Sequence, residues 1–238
     1  VELNNWDYDY KGTMTLRSAL VLSRNTTALQ TFKAVGETNI KSFLNNLDIQ
    51  ITNDGQDYLV ESNSIGADIS PLKMAAAYAA FANYGTYSKP YSVTKVTTRD
   101  GQVYEFKPEQ KQAMKDSTAY MITNVLKDSF TYGFATQVAI EGLPTAAKTG
   151  SSNYTTEQKL AMGASEYENI IPDSWFIGYS TDYTISVWSG YDNPYIEGGG
   201  LNQTEQTYPK WIYYYLMQYM AQFSSRDDWK QPESVVKQ

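Results

Sequence analysis

Histidine and cysteine are both absent from this 238-residue chain, and the two absences remove whole chemistries. No Ser-His-Asp triad can form, no thiolate can attack a carbonyl, and no metal can be held by imidazole or thiolate. No disulfide can staple the fold. Positive charge is scarce as well: 19 Lys and Arg against 26 Asp and Glu give a net charge of −7, and the basic residues are scattered. A phosphate backbone selects for clustered Lys and Arg, so a nucleic-acid partner is excluded. Long apolar runs are lacking. Met74 to Ala82 falls far short of the ~20 residues that a spanning helix needs, and no signal peptide opens the chain.

What is present suits a folded protein with polar-lined surfaces. Tyrosine is abundant, with 21 residues; its ring buries area while its hydroxyl needs a partner or water. Residues 1–14 read as an irregular lead-in. Thr15 is placed to cap a helix that ends near Ser23, followed by helical stretches from Thr26 to Val35 and Thr38 to Leu47,. Residues 50–69 lack a period and read as loop. Ser70-Pro71 is an N-cap with proline at the first helical position, opening an alanine-rich helix. Ser92 to Thr98, a turn at Asp100-Gly101 and Val103 to Phe106 predict a β-hairpin. An amphipathic helix follows over Ser117 to Phe130.

The last third changes character. Thr145 to Ser151 reads as a small-residue strand, 153–172 as a polar loop, and Ser174 to Tyr179 with Tyr183 to Trp188 as two strands around a turn at Thr181-Asp182. Both faces of these strands are largely apolar, so the sheet should be covered on both sides. Tyr208 to Phe223 is an aromatic-rich closing helix, and a polar tail occupies 224–238. No internal repeat or low-complexity linker interrupts the chain. The expected fold class is α+β: an antiparallel sheet with helices on both faces.

Without histidine or cysteine, any acyl chemistry must use a hydroxyl activated by lysine. Lys148-Thr149-Gly150-Ser151 fits that need. A strand lysine supplies a fixed charge, and the glycine leaves room for a ligand lying along the strand. Such an edge binds extended peptides, and its N–H groups can stabilise an oxyanion. From the tripeptide alone, an ordinary strand end with a solvated lysine is the favoured reading. Ser23-Arg24-Asn25 lies at a helix junction, where a serine can relay a proton and an amide can hold a carbonyl; both types are also preferred capping residues. Ser70-Pro71-Leu72-Lys73 matches the Ser-x-x-Lys nucleophile pattern but reads better as a helix start. Asp173 reads as a turn carboxylate. The tyrosines at 213–215 and 219 read as helix packing on the sheet.

The order of Ser-Arg-Asn, "SPLKMAAAYAAFANYG", "TAYMITNVLKD", "AAKTGSSN", "DSWFIGYS" and "VWSGYD" is more specific than any one element. It resembles the transpeptidase domain of class A penicillin-binding proteins from about Asn5 to about Phe223, in a Gram-positive, streptococcus-like version. The resemblance implies a D,D-transpeptidase that cross-links peptidoglycan stem peptides through a serine acyl-enzyme and is acylated by β-lactam antibiotics. It implies Ser23 as proton relay, Asn25 as the amide that positions the acyl chain, and Lys148 as the cleft lysine. Thr149, Gly150, Ser151 and Ser152 would bind substrate, with the Ser151 N–H forming half of an oxyanion hole. No metal or organic cofactor is implied.

One departure from that pattern shapes the expectations. No Ser-x-x-Lys precedes Ser23, so residues 1–223 are expected to be the C-terminal portion of one transpeptidase domain. The nucleophile would lie on a companion segment or chain upstream, leaving the sheet incomplete at its N-terminal side and this chain inactive alone. The whole would sit at the extracytoplasmic face of the membrane, anchored by an N-terminal segment absent from this chain. A D,D-carboxypeptidase, a β-lactamase or a non-catalytic binding module of the same fold remain alternatives.

Overall fold

The structure, a computed structural model, describes residues 3–236. Residues 3–14 form neither helix nor strand. Thr15 then caps α1 (Leu16–Val21) by accepting from the Ser18 amide. The chain turns at 22–24, runs on as α2 (Asn25–Val35), breaks at Gly36 and continues as α3 (Glu37–Asn46). The expected loop at 50–69 contains instead a small hairpin, β1 (Thr52–Asn53) with β2 (Gln56–Asp57), and a 3-10 turn at Glu61–Ser64. Asp54 and Gly55 both take positive φ, the geometry that an Asp-Gly hairpin turn needs,. The strands are too short to leave a periodic signal.

Ser70 caps α4 (Pro71–Ala82), accepting from the Lys73 amide. Strand β3 (Thr86–Ser88) pairs with β6 (Gln110–Gln112), a pairing with no sequence signature because its residues are mostly polar. Between them lies the predicted hairpin, β4 (Lys95–Thr97) with β5 (Val103–Glu105). Helix α5 (Asp116–Lys127) passes into a 3-10 turn at Asp128–Phe130. Buried side chains of α4 and α5 join Leu47, Ile49, Tyr87 and Met114 in one cluster, which makes this lobe a core of its own.

The main sheet is β7 (Ala146–Ser151), β8 (Asp173–Tyr179) and β9 (Thr184–Gly190), antiparallel in the order β7-β8-β9. Between β7 and β8 the expected polar loop folds a further helix, α6 (Thr156–Ala161). Thr155 and Gln158 cap it reciprocally, each side chain bonding the other's amide,; at this length it shows no amphipathic period. Helix α7 (Tyr208–Met220) closes the chain's last third.

Alternation along the strands sorts side chains between two layers. Ala146 and Tyr179 pack with Ala82 and Leu126 toward α4 and α5. Ala147 and Phe176 pack with Tyr213 and Met217 of α7 on the other face. Gly178 allows that second layer to close: a Cβ there would lie 2.3 Å from the Tyr213 ring. The polar tail is not free of the body. Trp229 is buried, donates from Nε1 to the Ala82 carbonyl at 2.9 Å, and meets Tyr179 edge-on. Among the described residues nothing pairs with the outer edge of β9.

Candidate functional site

Lys148 is the third residue of β7, opposite Ile177, and so belongs to the α4/α5 face. Near this end of the strand that layer thins, and the side chain enters a cleft of about 1140 Å³. The Lys148 ammonium donates to Ser23 Oγ at 2.7 Å and to the Thr149 carbonyl at 2.9 Å. Val21 and Phe134 lie beside it. Its hydrogen-bond partners are a hydroxyl and a carbonyl, not a carboxylate, so burial works against the charge unopposed and lowers its pKa from 10.5 to about 8,.

Ser23 reaches that lysine because of how α1 ends. The Arg24 amide donates to the Ala19 carbonyl at 2.9 Å and the Ser23 amide to the Leu20 carbonyl at 3.2 Å. Those two bonds make a Schellman terminus, whose left-handed position usually holds glycine. Here it holds Ser23, at φ 52. A side chain in that conformation is costly and persists where its neighbours over-determine it. The tripeptide thus ends α1 through its backbone, but none of its side chains caps α2. Arg24 is the N-cap of α2 and makes no side-chain cap bond. Asn25 is the first residue of α2, and its Nδ2 donates to the Asn4 carbonyl at 2.8 Å.

Thr149, Gly150 and Ser151 continue along the edge of β7 and line the same cleft as Ser23, Asn25 and Lys148. Gly150 faces Trp175 across the strand pair; a Cβ there would come within 3.3 Å of the Trp175 Cβ, so the edge stays shallow beside the lysine. Ser152 is placed differently. Its hydroxyl is hydrogen-bonded to the Asp173 carboxylate, which also accepts from Trp188 Nε1 at 3.1 Å. Asp173 thus ties the end of β7 to β8 and β9, consistent with a turn carboxylate. Ser70, the rejected nucleophile candidate, spends its hydroxyl on the α4 cap. Lys73 is exposed.

Sequence reasoning passed over Arg24, whose guanidinium is buried in an ion pair with Asp7. Nothing local in the sequence joins these two residues, since the pairing depends on the lead-in folding back over the turn. Among the described residues no cluster of acidic side chains could hold a metal ion.

A lysine on a strand edge and a serine from a helix junction thus meet in one cleft. The chain belongs to the penicillin-binding protein transpeptidase family: the family model "Penicillin binding protein transpeptidase domain" matches residues 1–214. It is similar to penicillin-binding protein 1A of Streptococcus pneumoniae, 39% identical over 239 residues, which is 98% of this chain and 32% of that protein. With penicillin-binding protein 1A/1B of Bacillus subtilis it shares 35% identity over 243 residues, 98% of this chain and 25% of that protein. The chain therefore spans about a third or less of these relatives. Among solved structures, penicillin-binding protein 1A from Haemophilus influenzae superposes with a TM-score of 0.73 at 20% identity, covering 96% of this chain and 37% of that one. Penicillin-binding protein PonA1 from Mycobacterium tuberculosis gives 0.71 at 19%, covering 99% and 66%. These likenesses establish the penicillin-binding transpeptidase fold.

Proposed function

We propose that this chain forms the substrate cleft of a serine D,D-transpeptidase in a peptidoglycan synthase, the cleft that β-lactams occupy. The observation that carries the reading is the 2.7 Å contact between Lys148 Nζ and Ser23 Oγ, made across 125 residues of chain inside one cleft. A lysine whose pKa is lowered to about 8 holds a usable neutral fraction near neutral pH,. It would pass a proton to and from the Ser23 hydroxyl, and Ser23 would deliver it to the departing amine. The stem peptide would lie along the β7 edge, its carboxylate held by the hydroxyls of Thr149 and Ser151. The Ser151 N–H would face the oxyanion, and the Asn25 amide would orient the acyl chain.

The attacking serine, with a lysine one helical turn on, belongs in this proposal to a companion segment that docks in the cleft. The apolar wall offered by Leu20, Phe32, Val35, Ile40 and Ile122 suits a packed helix there. Two lysines converging on one hydroxyl would each disfavour the other's charge, which helps one to act as base. The enzyme would work on the outer side of the membrane; no described helix is long and apolar enough to cross one.

Fluorescent penicillin tests the reading. Residues 1–238 alone should remain unlabelled, and the full-length protein should form a covalent adduct that Lys148→Ala reduces on the order of 100-fold or more. Labelling of 1–238 alone would overturn the companion segment. A full-length protein that never labels would overturn the transpeptidase reading.

A further inference from the structure

The turn that carries Ser23 is held from outside by the lead-in. The Arg24 guanidinium is only 2% exposed; Nη1 donates to the Asp7 carboxylate at 2.7 Å, and Nη2 is hydrogen-bonded to the Asp9 carbonyl. Asn5 links the same two segments, donating to the Asp9 carbonyl at 2.8 Å and accepting from the Thr26 amide at 3.2 Å. The Asn4 carbonyl takes the Asn25 amide, and Trp6 Nε1 donates to the Leu22 carbonyl at 3.1 Å. The Trp6 ring meets Phe134 edge-on with centroids 5.4 Å apart, and Phe134 lies beside Lys148. Residues 4–9 thus grip Leu22, Arg24, Asn25 and Thr26. Ser23 alone in the turn is left with its hydroxyl free for the lysine.

This ion pair differs from the others. Every other pair among the described residues leaves both side chains at least 27% exposed. Burying a guanidinium carries a desolvation cost that its partner rarely more than offsets, so such a pair is weak evidence of stability and a better candidate for fixing one conformation. The conformation available to be fixed is the strained backbone of Ser23, at φ 52. An arginine suits the task because its planar fork reaches a carboxylate and a carbonyl at once.

We propose that Asp7 and Arg24 form a positioning device for the reaction: the strap of residues 4–9, locked through this pair, sets the Ser23 hydroxyl within reach of Lys148. Arg24 and Asp7 touch no reacting atom; they act through the turn. The proposal rests on the reading of Ser23 and Lys148 given above, and its test separates the two.

In the full-length protein, Asp7→Asn, Arg24→Met, Arg24→Lys and the Asp7→Asn/Arg24→Met pair are compared with wild type. The acylation of each by fluorescent penicillin is resolved into a binding constant and an acylation rate. The rate should fall about 10- to 100-fold in Asp7→Asn and Arg24→Met, with binding changed less than about twofold. Arg24→Lys, which keeps one of the two contacts, should recover part of the loss. The double variant should be no worse than the poorer single, as for two residues acting as a unit. Lys41→Met, which removes the exposed Lys41–Glu37 pair at 3.0 Å, should leave the rate unchanged.

Unchanged rates, a loss carried by binding alone, or additive single losses would each overturn the strap. If Arg24→Met does not fold, Asp7→Asn carries the comparison, since it keeps an acceptor of the same shape. If wild type itself fails to label, the transpeptidase reading falls, and crystal structures of wild type and Asp7→Asn decide this proposal separately. A Ser23–Lys148 contact that opens beyond about 3.5 Å supports it, and one that stays at its present 2.7 Å overturns it.

Discussion

Ser23 occupies a place that usually holds glycine,, and a pair of substitutions separates backbone from side chain. Ser23→Gly should stabilise the fold by about 1 kcal/mol, because the left-handed residue loses its Cβ penalty. Ser23→Ala should give no such gain. Both should depress penicillin acylation in the full-length protein on the order of 100-fold. Thermal melts and labelling rates of the two variants check this. Lys148 makes a similar argument through protons. Folded, it sheds its proton near pH 8; unfolded, it holds it to about 10.5. Between those values the unfolded chain binds more protons, so this group makes stability rise with pH across the window, while below it the full cost of burying the ammonium applies. Lys148→Met should therefore melt higher than wild type at pH 7, by roughly 1–3 kcal/mol, and lose that advantage by pH 10.5. That residues 23, 25 and 148 line one cleft was legible only through the order of the motifs, since each short stretch alone reads as a cap or a strand end. Arg24 was not, since its value depends on Asp7, a residue that reaches it only after the lead-in has folded back.

At the scale of elements, legibility followed the range of the signal. The Thr15 cap, the Ser70-Pro71 start and the Asp100-Gly101 turn are decided by a few adjacent residues, and all three stand in the structure. The pairing of β3 with β6 is decided by residues more than twenty positions apart with polar side chains, and α6 by one reciprocal cap; neither leaves a period to read. Contact between layers was legible only as a requirement. Alternating apolar residues in β8 demand cover on both faces, but they do not say that Gly178 is where α7 comes closest. That contact is open to test. Gly178→Ala puts a methyl 2.3 Å from the Tyr213 ring, so α7 must shift, at a cost of about 1–3 kcal/mol. Combining it with Tyr213→Leu should cost less than the sum of the two, as denaturant titrations of the four proteins would show.

Taken whole, the molecule has two well-filled regions, the lobe around α4 and the layers around β8, and an open groove between the first helices and the β7 edge. The groove holds the lysine and both cleft residues of the helix junction, so the part of the chain richest in chemistry is the part least filled by its own side chains. The family was legible from motif order alone. Which strand would lie at the sheet's edge was not legible; among the described residues it is β9 that has no neighbour on its outer side. The bare side of Thr184–Gly190 has a consequence in solution. A seven-residue strand whose outer amides and carbonyls find no strand partner among the described residues is a template for another strand of the same kind,. A preparation of residues 1–238 by itself should therefore self-associate as its concentration rises, with light scattering growing while far-ultraviolet dichroism gains sheet signal. Lysine introduced at Trp188, the exposed position of this strand, should delay the onset, by placing like charges face to face along the nascent seam.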